Sequence, residues 1–335
     1  MLLLPFSFLT SLSLAAALLT ALLVPAMAEP ITLTSDVLRY FHIGSSDNRA
    51  GKLTFAGGLE IRSEDERFGG LSGLRISSDG AVLRAVTDTA YWLSAVIERD
   101  AEGVLSGLSN AEFYCLCRQD GTPYGSKHWG DSEGLEIEGD TAYVSFERLN
   151  RINRYQLGKD GSPGVPVQAT ASFRPLNLAY LEGLEALAVA PAGSPLAGRF
   201  VAIAEESLNS DGNNRAFLAS KGEIEEFAIA RSGEYSITDA VFLPDGNLAV
   251  LERRFGLSVG LGMRIRRFDS ASVRPGVTLE GEVLAEAGLS SRIDNMEGIA
   301  AWQDADGQTR IVLISDDNFN RTLQRTLLLE FVLDE

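Results

Sequence analysis

Short stretches in which apolar and polar residues alternate recur along the chain. Runs such as AVLRAVTD (81–88) and NLAVLERR (247–254) have the two-residue period of a half-buried β-strand. Turns rich in Gly, Asp and Pro separate these runs, as in β-hairpins. Little of the chain has the period of an α-helix. The pattern therefore predicts an all-β fold.

A two-strand unit also recurs. It begins with a Gly-rich or acidic turn, continues through an apolar strand and a second turn, and ends in a strand that closes with charged residues. The copies lie at 70–88, 132–148, 181–206, 237–254 and 296–318, about 50 to 60 residues apart, a period typical of propeller blades. With the N-terminal strands at 31–44 and 52–63, the five copies predict a six-bladed β-propeller over a single domain, 29–335.

An acidic residue stands near the start of most copies. Because the innermost strand of each blade begins at the axial channel, Glu133, Glu182, Asp239 and Glu297 are expected to converge there. A second charged set follows the next strand, and antiparallel pairing brings it to the same rim. The alternative is that each of these residues only caps a local turn.

Carboxylate oxygens are the ligands that Ca²⁺ prefers, and arginine binds phosphate oxygens through paired hydrogen bonds. The candidate metal ligands are Glu133, Glu182, Glu297, Asp88 and Asp316. The candidate ligands for an anionic substrate are Arg148, Arg253 and Arg325. The expected cofactor is therefore a divalent cation, calcium above all, and the expected ligand is a small anionic or phosphorylated molecule.

Composition narrows the possible partners. The 335 residues are 45% hydrophobic, enough for a substantial core, and the net charge of -17 argues against nucleic acid. The only histidines are His42 and His128, which excludes a His-rich metal site. Cys115 and Cys117 are poorly placed for a disulfide, since both would point to the same face of a strand.

The N-terminus has the features of an export signal. The first 28 residues are uncharged, contain a Leu/Ala-rich run and end in AMA, the small-residue pattern of signal peptidase cleavage. We expect residues 1–28 to be removed, which would leave a periplasmic or secreted protein without a membrane span. An uncleaved anchor is the alternative, because Lys and Arg are missing before the apolar run.

Six segments together resemble a known family, the phytase-like domain of bacterial exported proteins, described as "esterase-like activity of phytase". They are GGLSGLRISSDG (69–80), DSEGLEI (131–137), LEGLEALAVAP (181–191), DAVFLPDGNLAVLERR (239–254), DNMEGIAAW (294–302) and ISDDNFNRTLQRTLLLEFVL (314–333). The resemblance implies a propeller related to, but distinct from, the calcium-dependent propeller phytases. It identifies no catalytic residue, although Glu133, Glu182, Glu297, Arg253 and Asp316 occupy its motif positions.

Three functions are compatible with these observations. The first is metal-assisted hydrolysis of a phosphate ester, such as a phytate-like substrate, in the axial funnel, where carboxylates would hold the cation and arginines the phosphate. A non-enzymatic propeller that binds a ligand or a protein is the second possibility, because propellers serve many functions. A metal-dependent sugar lactonase is the third. Arginines beside the carboxylates favour an anionic substrate over a lactone.

Export predicts a defined mature N-terminus. N-terminal sequencing of the exported protein should begin at Glu29. Retention of Met1 would show that the segment is an anchor instead.

Overall fold

The computed structural model describes residues 28–178, 183–256 and 259–334. The predicted signal peptide, apart from Ala28, and the predicted site residue Glu182 lie outside the described residues. Within them the chain forms 24 β-strands in five sheets. None of the helices found there has the length and apolar character needed to cross a bilayer.

Five sheets, here called blades 1 to 5, surround one axis. The N-terminal strands are β1 (Glu29–Pro30), β2 (Thr34–Leu38), β3 (Arg49–Ala50) and β4 (Leu53–Arg62). Blade 1 contains, from the axis outward, β5 (Leu71–Ile76), β6 (Val82–Thr87), β7 (Tyr91–Arg99) and β8 (Leu105–Cys115), with β1 at its outer edge. Blade 2 contains β9 (Ser132–Glu138), β10 (Thr141–Phe146), β11 (Arg151–Gln156) and β12 (Val167–Gln168).

The remaining blades follow the same order. Blade 3 contains β13 (Leu184–Val189), β14 (Phe200–Leu208), β15 (Asn214–Ala219) and β16 (Ile224–Ile229). Blade 4 contains β17 (Ser236–Phe242), β18 (Leu248–Arg254), β19 (Gly262–Phe268) and β21 (Glu282–Gly288), and β20 (Thr278–Leu279) crosses to pair in parallel with β16. Blade 5 contains β22 (Asn295–Gln303), β23 (Thr309–Asp316) and β24 (Thr326–Leu333), completed by β4 and β2. The helices are α1 (Lys127–Gly130) and two 3₁₀ turns, Arg174–Leu176 and Ser270–Ser272.

The expected propeller is confirmed, but it has five blades and the prediction of six is wrong. The sixth blade came from counting the N-terminal strands as a separate unit. Instead, β4 pairs with the C-terminal strand β24, and β2 continues the same sheet. Each of the five inner strands contacts the next, from β5 through β9, β13, β17 and β22 back to β5. The two ends of the chain thus close the ring in one shared blade, which protects the sheet edges.

The side chain of Arg75 lies in the axial channel, near the end of β5. Its guanidinium donates hydrogen bonds to the carbonyl oxygens of Leu187 at 2.8 Å, Ala240 at 2.9 Å and Ile299 at 2.9 Å, on three other blades. Glu136 and Asp239 supply the compensating charges at 3.1 and 3.4 Å. Asp239 therefore neutralises Arg75 and does not join the expected acidic ring.

Arg75 divides the channel into two mouths. A cavity of about 880 Å³ opens at the end of the inner strands, lined by residues that include Arg84, Glu138, Phe242 and Trp302. The opposite mouth gathers the charged residues that come just before the first strand of a blade or just after its second strand. This mouth is here called the axial funnel.

The two cysteines form a disulfide, so the expectation of separate thiols is wrong. The Cα atoms of Cys115 and Cys117 lie 5.1 Å apart, within the range of ordinary disulfides. In a continuous strand this distance would be about 6.6 Å. It is shorter because β8 ends at Cys115 and the chain contracts as it leaves the sheet.

Removal of the Arg75 guanidinium should destabilise the whole propeller. Arg75→Gln leaves two carboxylates buried without their cation, which costs roughly 3 to 5 kcal/mol. The free energy of unfolding, measured by urea titration, should fall by that amount. The matched control is Arg49→Gln, in the exposed pair with Asp334, which should change it by less than about 1 kcal/mol. Equal effects of the two substitutions would contradict the role given to Arg75.

Candidate functional site

One residue of each inner strand is displaced by a β-bulge close to the funnel. In every blade the pairing of the first two strands shifts at this point, because the inner strand has one residue more than the strand it pairs with. A bulge turns the extra side chain out of the regular alternation. The displaced residues are Ser72, Glu133, Glu185, Thr238 and Glu297, here called the bulge ring. The Glu133 carboxylate is hydrogen-bonded to the Ser72 side chain. The charges of Glu133 and Glu297 both raise the pKa of Glu185.

Two groups of carboxylates lie at this ring. One oxygen from each of Asp131, Glu133 and Glu147 lies within 4.8 Å of the others, and the same holds for Glu147, Glu185 and Glu205. At this separation two carboxylates repel each other by roughly 3 kcal/mol at an effective dielectric constant of about 20. A cation would remove the repulsion. These acidic groups can therefore hold a metal ion.

The ligand types fit a hard cation. Both groups offer only carboxylate oxygens, which suit Ca²⁺ or Mg²⁺ better than metals that prefer nitrogen or sulfur. Beside them, Glu297 Oε2 and Asp88 Oδ1 are buried without a hydrogen-bond partner among the described residues. Buried oxygens of this kind are usually satisfied by a partner that the protein does not itself supply.

Arg253 is the cation closest to the second group. Its Nη2 donates to Glu205 Oε1 at 3.1 Å, and its Nε lies 3.3 Å from Glu297 Oε1. These neighbours raise the pKa of Arg253, with Glu297 as the largest cause. A cavity of about 540 Å³ begins at Glu205 and Arg253 and continues past Arg254 and Phe255. The funnel thus has room for a ligand next to the Arg253 guanidinium.

Burial raises the pKa of the clustered carboxyl groups, and neighbouring carboxylates raise it further. The pKa of Glu297 reaches about 8 and that of Glu147 about 7. The pKa values of Glu133 and Glu185 lie well above the usual range for the same two reasons. Without a bound cation, these groups therefore hold protons near neutral pH.

Most of the predicted metal ligands meet at the funnel. Glu133 belongs to the first carboxylate group and Glu297 to the bulge ring. Asp88 pairs with Lys127 and raises the pKa of Glu133. Asp316 accepts a hydrogen bond from the Leu71 N–H at 3.1 Å, and burial raises the pKa of Asp316 to about 7.

The three predicted arginines are divided. Arg148 donates to Asp131, and Arg253 lies among the glutamates. Arg325 instead lies 3.3 Å from Asp294 and donates to the Ile293 carbonyl. Within the described residues, Arg325 contacts none of the clustered carboxylates.

Sequence reasoning missed Glu185 as a ring residue and left Asp131, Glu147 and Glu205 out of the candidate ligands. The repeat was aligned on the Glu-Gly pair, which placed Glu182 beside Glu133. In the structure it is Glu185 whose carbonyl faces Gly134, as that of Glu133 faces Gly73. Counting back from the end of the inner strand would not have found it, because the ring residue lies four places before that end in blade 1 and six in blade 5.

Comparison with protein families gives a match to the phytase-like family, described as "Esterase-like activity of phytase", over residues 66–319. The chain belongs to this family. The resemblance seen in the sequence is thus confirmed. No curated protein matches this phytase-like chain in sequence.

Solved structures of similar fold come from several kinds of protein. The α-L-arabinofuranosidase of Podospora anserina, in complex with cellotriose, has a TM-score of 0.51 and 12% identity, covering 84% of this chain and 97% of that one. The PQQ-bound aldose sugar dehydrogenase of Streptomyces coelicolor has a TM-score of 0.41 and 14% identity, covering 92% and 100%. The calcium-binding protein regucalcin of Agrobacterium tumefaciens has a TM-score of 0.39 and 14% identity, covering 86% and 92%. At these identities the likeness shows only the fold.

The raised pKa values predict how the stability of the cation-free phytase-like protein depends on pH. Its folded state binds more protons than the unfolded chain, whose carboxyl groups titrate near pH 4. The stabilisation is complete below about pH 4 and is lost as the pH passes the folded-state pKa values of about 7 and 8. In the presence of a chelator, Tm should therefore fall between about pH 5 and pH 8.

Two variants isolate the contribution of the funnel carboxylates to the dependence of Tm on pH. Glu185→Gln removes one clustered charge and should flatten the fall in Tm. Glu102→Gln removes an exposed charge and should leave the wild-type curve unchanged. Parallel curves for all three proteins would contradict the pKa shifts.

Proposed function

We propose that this protein is a divalent-cation-dependent phosphoester hydrolase that binds a phytate-like or other anionic substrate in the axial funnel. Calcium is the proposed cation, and the periplasm or the exterior of the cell is the proposed location. The observation that carries the proposal is the pair of carboxylate groups, with ligand oxygens within 4.8 Å of one another, beside Arg253. Membership of the phytase-like family supports the choice of a phosphate ester.

The residues proposed to hold the cation are Asp131, Glu133, Glu147, Glu185 and Glu205. When bound, the cation supplies positive charge that neutralises the funnel and polarises a phosphoryl oxygen. The carboxylates provide the charge that a hard cation requires.

Arg253 is positioned to orient the anion. Its Nη2 donates to Glu205 and its Nε forms an ion pair with Glu297 without a hydrogen bond, whereas its Nη1 makes no hydrogen bond within the described residues. The guanidinium lies at the start of the 540 Å³ cavity. A phosphoryl oxygen in this cavity could accept a charge-assisted hydrogen bond from Nη1.

Glu297 is the proposed proton donor. Its Oε1 is fixed by the Asn295 amide and Arg253, and its Oε2 is buried without a hydrogen-bond partner among the described residues. Burial is the largest cause of its raised pKa, about 8 in the cation-free protein, and burial persists when cations bind, so the carboxyl group can hold a proton and deliver it to the leaving oxygen. Arg253 limits this shift, because an adjacent cation favours the carboxylate form.

A Glu297→Gln variant should separate cation binding from catalysis. Calcium affinity should change little, because Glu297 belongs to neither carboxylate group. Turnover of glycerol 2-phosphate, which has a poor leaving group, should fall by at least about 100-fold. Turnover of 4-nitrophenyl phosphate should fall much less, since its leaving group needs no proton. The measurements are calcium titration calorimetry and phosphate release.

The outcomes distinguish the proposed function from its alternatives. Equal losses on both substrates would contradict proton donation by Glu297. Calcium binding without hydrolysis of any phosphoester or aldonolactone would favour a binding protein. Calcium-dependent hydrolysis of the lactone alone would favour a lactonase. Glu102→Gln is the control and should match the wild type in every assay.

A carbohydrate ligand is a second candidate, favoured by aromatic side chains around the funnel. Trp129 is 44%, Phe255 76% and Phe319 41% exposed, and each stands beside residues of the charged mouth. Exposed aromatic rings offer an apolar face to a ligand that also has polar groups. The similar arabinofuranosidase is in complex with cellotriose. Adding aryl glycosides to the substrate panel tests this candidate directly.

A further inference from the structure

Glu147 belongs to both carboxylate groups. One of its oxygens lies within 4.8 Å of ligand oxygens from Asp131 and Glu133, and one lies equally close to ligand oxygens from Glu185 and Glu205. Its Oε1 accepts a hydrogen bond from the Gly183 N–H at 3.1 Å, which fixes the direction of the carboxylate. A carboxylate held in this way can contact a cation on either side.

The two groups lie on neighbouring blades. Asp131 and Glu133 belong to the start of blade 2, whereas Glu185 and Glu205 belong to blade 3. Glu147 follows the second strand of blade 2 and lies between them. The arrangement is thus two sets of ligands that share the carboxylate of Glu147.

Glu185 gives an independent indication that the second set binds a cation. The residue is only 7% exposed, and its carboxylate has no hydrogen-bond or ion-pair partner within the described residues. The charges acting on it most strongly are those of Glu133, Glu205, Glu147 and Glu297, all of the same sign. A buried carboxylate surrounded in this way calls for a positive charge from outside the chain.

The charges of the side chains leave room for more than one cation. Lys127 and Arg148 each pair with Asp131 of the first group, and Arg253 pairs with Glu205 of the second. Five carboxylates form the two groups. With Asp88 and Glu297 beside them the carboxylates number seven, against the three cations Lys127, Arg148 and Arg253, so four charges remain for two divalent cations to offset.

We infer that the funnel binds two adjacent divalent cations bridged by the carboxylate of Glu147. One cation lies among Asp131, Glu133 and Glu147, and the other among Glu147, Glu185 and Glu205. This inference rests on the proposed cation dependence but adds the number of ions and their shared ligand.

The number of bound ions tests the inference. Full-length protein, freed of metal by a chelator, is titrated with calcium in a calorimeter. Wild type should bind two ions per chain, and Glu133→Gln and Glu185→Gln should each bind one. Glu147→Gln should weaken both sites by at least 10-fold, because the bridging charge is lost. Glu102→Gln, the exposed control, should still bind two.

Manganese provides a second measurement that needs no variant. Two equivalents of Mn²⁺ bound to wild type should give an electron paramagnetic resonance spectrum broadened by coupling between neighbouring ions. One equivalent bound to Glu185→Gln should give the sharp six-line spectrum of an isolated ion. An uncoupled spectrum of the doubly loaded wild type would overturn the inference even if the variants do not fold.

The other outcomes are also distinct. A single calcium that both Glu133→Gln and Glu185→Gln abolish would overturn the bridged pair and leave the proposed function intact. Two ions that survive both substitutions would place the sites elsewhere and overturn the inference. No calcium or manganese binding to wild type would remove this inference and the cation dependence of the proposed function together.

Discussion

The close approach of the five inner strands is the constraint on which the funnel depends. A Cβ atom at Gly134 would lie 2.7 Å from the carbonyl oxygen of Glu185, and one at Gly73 would lie 2.5 Å from that of Glu133. Glycine is needed because the next blade occupies the space of a side chain. The residue before it is displaced by the bulge and turned into the channel. The recurring acid-glycine step therefore combines backbone packing with the placement of a charge.

Buried charges in the axial channel are compensated in two ways. At the level of Arg75 the chain supplies its own cation, and two carboxylates with three carbonyls from other blades surround the guanidinium. At the bulge ring the carboxylates outnumber the available cations, and their pKa values rise. The first level stabilises the closed ring without a ligand. The second level is unfavourable until protons or cations enter, as expected for a binding site placed on a rigid scaffold.

The sequence was sufficient for the fold and for the region of the site, but not for its details. Alternation and the repeat predicted a propeller, and antiparallel pairing correctly predicted that Asp88 and Asp316 share a mouth with Glu133. The blade count failed because strand composition does not reveal that β4 pairs with β24, near the other end of the chain. Glu182 lies outside the described residues, and Glu185 was missed because the bulge that displaces it leaves no mark in the pattern of apolar and polar residues.

The bulge ring also separates what the fold requires from what the chemistry requires. Ser72 and Thr238 occupy the same position as the three ring glutamates, so the backbone accepts a hydroxyl or a carboxylate there. The chemistry of the funnel can thus vary while the fold stays the same. Under the proposed function, the glutamates in this chain would also impose an order of binding. Above the raised pKa values, a phosphate that enters before the cations would meet ionised carboxylates beside Arg253 and would be repelled. A phosphate that enters afterwards would meet positive charge at the axis and Arg253 at its side, so the proposed cations would bind first.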